Sequence, residues 1–204
     1  MLENTGERII PDTMKPTNGM LLEHLARYYF ASEFVKGRTL DIASGSGYGS
    51  QYLAKKNKSI ITELVGADRS IEAITYARGR YHHPLVTYEC ADALDPKLPS
   101  KLGQFDSIVS FETLEHVEDD RQFLRNLMKM LKTGGTLIVS TPFGRGRGKP
   151  TNEPFHIHQL TEEEFRELLS PYKKVDYYYQ RGVIFEPPRE GTKYSFGIAI
   201  IEKE

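Results

Sequence analysis

Leu40-Asp41-Ile42-Ala43-Ser44-Gly45-Ser46-Gly47-Tyr48-Gly49-Ser50 is a short apolar run that ends in a loop with glycine at every second position. Glycine lacks a Cβ, so such a loop turns tightly and lets a ligand approach the backbone. A strand that gives way there to a helix marks the carboxyl end of a sheet, where open α/β folds bind ligands. Outward from this stretch the chain alternates. Met20 to Phe34 carries Leu21, Leu22, Leu25, Tyr28 and Tyr29 at helical spacing. Leu40 to Ala43 predicts a first strand and Ser50 to Lys56 its helix. Ile60 to Ala67 is a second strand, with Asp68 at its end. Ser70 caps the next helix, which turns Ala73, Ile74 and Ala77 inward. Leu85 to Cys90 and Phe105 to Ser110 are the third and fourth strands. Asp119 to Leu131 is a helix stopped by Gly134-Gly135, and Thr136 to Ser140 is the fifth strand. Thr161 and Glu164 form a capping box. Val175 to Tyr179 and Tyr194 to Ile201 complete the strands, joined by a segment with no helical period, which implies an antiparallel hairpin. The expected fold is α/β: a Rossmann-like, doubly wound, seven-stranded sheet, mostly parallel with an antiparallel terminal strand.

The 204 residues suit one domain, 1–204, with an N-terminal segment and helix over 1–36 and a loop over 143–158. Hydrophobic residues make up 39% and charged residues 27%, an ordinary soluble balance. The formal net charge of −1 supplies no global field for nucleic acid or anionic membrane. The single cysteine, Cys90, rules out an intrachain disulfide, and its apolar flanks predict a buried thiol. Met1 to Met20 is polar and broken by Pro11 and Pro16, with no apolar targeting run, and no later stretch has the length of a membrane span. A cytoplasmic location is the expectation.

These motifs resemble those of the class I S-adenosylmethionine-dependent methyltransferases over nearly the whole chain. Asp41 to Gly49 matches that family's first motif. Asp68 matches the acidic residue closing the second strand, and Asp92-Ala93 the adenine-contacting step. Phe105 to Ser110 matches the fourth strand, and Leu131 to Gly135 the turn before the fifth. The resemblance implies S-adenosylmethionine as cofactor, contacted by Asp41, Ala43, Gly45, Gly47, Tyr48, Gly49, Asp68, Arg69, Asp92, Ala93 and Phe111. The chemistry agrees. Asp68 can accept from both ribose hydroxyls, because an ionised carboxylate has two oxygens and only accepts. Asp92 can accept from the adenine amine. Asp41 can accept from the cofactor's amine or order the loop. A dinucleotide oxidoreductase also uses a glycine loop and a later acid, but its G-x-G-x-x-G is not met, since Gly49 comes one residue early.

Glu112, Glu115 and His116 follow the fourth strand at a spacing that shares one helical face. Two carboxylates and an imidazole suit a divalent cation, magnesium or manganese, with His158, or His156 instead, as a fourth ligand. The cluster is similar to the metal-binding Glu-x-x-Glu-His of ubiquinone-pathway O-methyltransferases and small-RNA 2′-O-methyltransferases. Without metal, Glu115 and His116 orient the loop by hydrogen bonds and His116 can act as a general base; Glu112, Glu115 and His116 are the expected catalytic residues, and the third reading of the group is structural. Arg145, Arg147 and Lys149 alternate with glycines in the loop after the fifth strand, where they could recognise an anionic methyl acceptor. Glu7 to Pro11 could fold over the cofactor. The function read here is methyl transfer to an O or N atom of a small molecule. A non-catalytic cofactor-binding module, an RNA methyltransferase and, least of all, a nicotinamide oxidoreductase are the alternatives.

Overall fold

The computed structural model describes residue 2, residues 8–151 and residues 153–204, and among these eight strands alternate with six α-helices. The strands are β1 (Gly37–Ile42), β2 (Ile61–Asp68), β3 (Val86–Cys90), β4 (Phe105–Ser110), β5 (Leu131–Pro142), β6 (Lys174–Arg181), β7 (Ile184–Glu186) and β8 (Phe196–Glu202). The helices are α1 (Gly19–Ala31), α2 (Tyr48–Lys56), α3 (Ile71–Arg80), α4 (Leu98–Leu102), α5 (Asp120–Met130) and α6 (Glu162–Leu169). The predicted caps are in place. Ser70 Oγ accepts from Ala73 N, and Thr161 and Glu164 form the reciprocal capping box.

The strands lie in the order β3-β2-β1-β4-β5-β8-β6-β7, with β1 to β5 parallel and β8 antiparallel to β5. Alternate residues of a strand face opposite sides, and here both sides are covered. Leu40, Ile42, Ile108, Leu137 and Val139 pack with Phe123, Leu124 and Leu127 of α5 and Phe165 of α6. Leu64, Val109, Ile138 and Ile198 pack with Leu21, Tyr28 and Ala31 of α1 and Leu53 of α2. The strand order reverses direction between β1 and β4. A crevice opens at the carboxyl ends of the strands at such a switch point. It brings the loop after β1 beside the segment after β4.

The sheet has eight strands rather than seven. The additional strand, β7, is three residues long and pairs with Tyr179 to Arg181 across a turn in which Gly182 has φ +60°. Three residues are too few to show a strand period. Strand β5 starts at Leu131, before Gly134-Gly135, so the glycine pair lies inside the strand and α5 ends at Met130. Cys90 is exposed, not buried. It closes edge strand β3, where Tyr88 is the one buried side chain, and its thiol donates to Arg69 O.

Two glycines of the first loop are required by their neighbours. Gly47 has φ +87°, and a Cβ there would stand 2.6 Å from Ala77 Cβ. A Cβ on Gly49 would overlap the ring of Tyr28. The expected result for Gly49→Ala is a loss of about 2–3 kcal/mol in urea unfolding, the usual cost of overpacking a filled site.

Candidate functional site

Two loops meet over the β1–β4 crevice. In the first, the chain leaves β1 through Ala43, which has φ +61°, and returns through left-handed Gly45 and Gly47 into α2. Gly45 N–H donates to Asp68 Oδ2 at 2.9 Å and Ser70 N–H to Asp68 Oδ1 at 2.8 Å. These bonds fix the orientation of the Asp68 carboxylate at the end of β2, and each oxygen keeps a lone pair for a hydroxyl. Asp92 is exposed, and its Oδ1 accepts from Leu94 N–H at 2.9 Å. Asn126 of α5 donates to Ala93 O and Asp95 O, which holds the adjoining turn. Arg69 is exposed. The ring of Phe111 meets Tyr28 edge-on at 5.0 Å, and Tyr28 meets Tyr48 edge-on at 5.4 Å.

Asp41 does not line the loop surface; it orders the loop from beneath. Its carboxylate is 1% exposed, accepts from Ser50 Oγ at 2.6 Å and lies 3.2 and 3.3 Å from the Tyr28 hydroxyl. Burial pushes the Asp41 pKa up to about 7, against the lowering by the Ser50 and Tyr28 hydrogen bonds; the nearby Asp68 charge adds to the rise. Burial holds the Tyr28 hydroxyl protonated, so it donates.

The N-terminal segment seals the far side of the loop. Ile9 and Ile10 are buried, and Ile9 O accepts from Ser46 Oγ at 2.8 Å. Asp12 accepts from the hydroxyls of Tyr76 and Tyr81 and from Arg80, which keeps its carboxyl below the usual range. Glu7, the first residue of the expected flap, lies outside the described residues.

The second loop separates the predicted metal ligands. Among the described residues, Glu115, His116 and His156 bring one ligand atom each within 4.8 Å of one another. Glu112 and His158 are turned elsewhere. Glu112 has φ +50°, its Oε1 accepts from Ser140 Oγ at 2.6 Å, and its Oε2 lies 3.8 Å from Arg27. His158 Nε2 lies 3.7 Å from Asp120, which Arg147 also pairs with. The cause of the separation is the backbone. The helical turn is cut to Leu114–His116, so Glu112 lies outside it and does not share a face with Glu115 and His116.

Within the cluster, Glu115 is 1% exposed; Oε2 accepts from Thr141 at 3.2 Å and Oε1 has no hydrogen-bond partner. Burial first, then the Glu112 charge, raises the Glu115 pKa well above the carboxylate range. His116 Nδ1 lies 3.0 Å from Phe155 O; a carbonyl only accepts, so Nδ1 carries the proton and Nε2 the lone pair. His116 Nε2 is 3.8 Å from Glu115 Oε1, and the His116 ring meets His156 edge-on at 4.8 Å. Burial, with His116 and His158 adding, lowers the His156 pKa to about 4, so its ring is neutral at pH 7. Of the loop cations, Arg147 is tied to Asp120 and its N–H donates to the Glu164 carboxylate, while Arg145 and Lys149 are exposed. Sequence reasoning missed Arg27, Ser140 and Thr141, which reach the site from α1 and β5; no local motif marks them.

Known proteins resemble this chain in sequence and in fold. The methyltransferase-domain family matches residues 40–139. A probable S-adenosylmethionine-dependent methyltransferase of Mycolicibacterium smegmatis is 32% identical over 170 residues, 81% of this chain. The chain spans 62% of that relative's length. A ubiquinone biosynthesis O-methyltransferase of Coxiella burnetii is 34% identical over 110 residues, covering 52% of this chain and 44% of that one. Among solved structures, the DhpI–SAH complex superposes with a TM-score of 0.65 at 19% identity, over 92% of this chain and 88% of that one, a likeness of fold. No helix among the described residues is long and apolar enough to cross a membrane.

The buried Asp41 makes stability pH-dependent. Its folded pKa, about 7, lies above the unfolded value, so the native state binds the extra proton. Its contribution is full below about pH 4 and is lost as pH rises through about 7. Asp41→Asn has no such proton, and its unfolding midpoint is expected to fall less than the wild type's between pH 5 and 8, read by thermal melts across that range.

Proposed function

By sequence and by fold the chain belongs with the class I S-adenosylmethionine-dependent methyltransferases, and from that premise we propose that it transfers a methyl group to an O or N atom of a small molecule. The observation that carries the reading is the tie between Gly45 N–H and the Asp68 carboxylate across the β1–β2 ends, and the Glu115–His116–His156 cluster beyond β4 adds to it. Asp68, Asp92, Ala93, Phe111 and the backbone of Ala43 to Gly49 hold the cofactor in this reading, with Tyr48 and Arg69 beside them and Asp41 beneath. When bound, S-adenosylmethionine supplies a methyl group already activated on a sulfonium centre. The chain's own task is therefore alignment, exclusion of water and removal of one proton. His116 Nε2 takes the proton from the acceptor's hydroxyl or amine. Glu115 Oε1 lies 3.8 Å from that nitrogen.

A specific observation favours a divalent metal as a second element of the site. The buried, unpartnered Glu115 Oε1 faces two imidazoles, one of them held neutral. Two nitrogen ligands and one oxygen suit manganese better than magnesium, which prefers oxygen and water. Glu115, His116 and His156 are the residues that would hold such an ion, which would supply Lewis-acid activation of the acceptor.

Calorimetry with S-adenosylhomocysteine and with NADH tests the cofactor. The first is expected to bind and the second not, and binding of NADH alone overturns the reading. Asp68→Ala is expected to weaken S-adenosylhomocysteine about 10- to 100-fold, the worth of hydrogen bonds to a charged group. For the metal, manganese titration followed by electron paramagnetic resonance is expected to show one site in the wild type and none in His156→Ala; equal binding by both proteins removes the metal from the proposal.

A further inference from the structure

The strap from Glu153 to Gln159 lies against the turn Leu114–His116, which carries the proposed base. Its burial is inverted. Phe155 and Ile157 are 54% and 51% exposed, whereas His158 is 6% exposed. Burial of apolar surface alone would select the reverse, so polar contacts decide how the strap sits. Those contacts reach each residue of the turn. His116 Nδ1 donates to Phe155 O at 3.0 Å. Ile157 N–H donates to Glu115 O at 2.8 Å, and His158 N lies 3.5 Å from the same oxygen. The His158 ring is hydrogen-bonded to the Leu114 backbone.

The ring that anchors the strap is held from below. Asp120, the first residue of α5, is 4% exposed and its Oδ2 lies 3.7 Å from His158 Nε2. Nε2 is buried and has no hydrogen-bond partner, so this contact is electrostatic. Arg147 pairs with the same Asp120 oxygen. A buried carboxylate without a cation is costly, so Arg147 keeps Asp120 in place. Arg147 is itself placed by the loop after β5. Its backbone N–H donates to both oxygens of Glu164 at 3.1 and 3.2 Å, and Gly146 N–H donates to Gln159 O at 3.0 Å. The loop is thus joined to His116 through Arg147, Asp120 and His158.

What the joint controls is a tautomer. A neutral imidazole has one N–H, and the Phe155 carbonyl claims it at Nδ1. Nε2 keeps the lone pair, which a general base and a metal ligand both require. With Phe155 O moved away, the proton is free to pass to Nε2, where it blocks both roles.

We propose that His158, Asp120 and Arg147 are positioning residues for His116: they hold Phe155 O against Nδ1 and so keep Nε2 bare. This rests on the methyl-transfer reading, in which His116 Nε2 takes a proton or holds an ion. It gives Arg147 an internal task in place of recognising the acceptor's charge.

Long-range proton–nitrogen NMR of the histidine rings in the full chain reads the tautomer, at about pH 8, where an ordinary imidazole is neutral. The wild type is expected to show His116 in the Nδ1–H form. His158→Phe keeps a ring and removes both nitrogens, and the single His116 tautomer is expected to be lost to a mixture of the two. His158→Asn, whose amide nitrogen takes the place of Nδ1, is expected to restore the wild-type pattern. Arg147→Met is expected to show part of the loss, and it carries the comparison if His158→Phe does not fold. Calorimetry with S-adenosylhomocysteine is expected to give affinities within about twofold across the set, because the partners of these side chains are α5, α6 and the Leu114–His116 turn. An unchanged His116 tautomer in His158→Phe or in Arg147→Met overturns the proposal, as does an Nε2–H form in the wild type. A loss that His158→Asn does not restore overturns it too, because the ring then only fills space. Failure of the wild type to bind S-adenosylhomocysteine removes the methyl-transfer reading instead.

Discussion

A carboxylate with no access to water, Asp41 at the end of β1, holds together the part of the molecule on which the site depends. It accepts from Ser50 on α2 and lies within hydrogen-bond reach of the Tyr28 hydroxyl on α1, so one side chain ties a strand to two helices. The geometry tolerates no substitute for glycine at position 49, because the Tyr28 ring occupies the space a Cβ would need. The loop between Asp41 and Ser50 is thus fastened at both ends, and its shape follows from that. Gly45 then presents its N–H to Asp68, and the ends of β1 and β2 become one rigid surface.

Tyr28 links this surface to the other half of the crevice. Its ring packs on Phe111, the first residue after β4, and Arg27 beside it reaches toward Glu112. Helix α1 therefore touches both halves of the crevice with consecutive residues. The chemistry divides the same way. Asp41 and Asp68 order the ends of β1 and β2. Glu115, His116 and His156 gather beyond β4, the three groups to which the proposed function gives proton transfer or a metal, and Arg27, Gln180 and Phe196 meet on the side toward β8. Burial sets the protonation of several of these groups, raising Asp41 and Glu115 and lowering His156.

Local patterns made most of the fold legible. Parallel strands buried on both faces read as apolar runs, and Ser70, Thr161 and Glu164 announced their helix starts through side-chain hydrogen bonds made within a few residues. What escaped was short or depended on position in the sheet. Strand β7 has three residues, too few for a period, and exists through its pairing with β6. Cys90 has the flanks of a buried residue but sits at the end of an edge strand. The ligand cluster misled for a related reason. Helical spacing from Glu112 to His116 assumed a continuous turn, whereas the turn begins at Leu114 and sends Glu112 to Ser140.

The sequence by itself determined the fold class, the glycine loop and the acidic residues at or just beyond the ends of the first three strands. Each of these is specified by neighbours in the chain: a missing Cβ, a cap or an apolar period. Only the tertiary structure decided which groups meet. It chose His156 over His158 and set Glu112 apart from Glu115 and His116. It also brought Arg27 to Gln180, 153 residues away. Those encounters depend on strand order and on the direction in which each loop leaves the sheet, and both are set by packing across the whole domain rather than by local spacing.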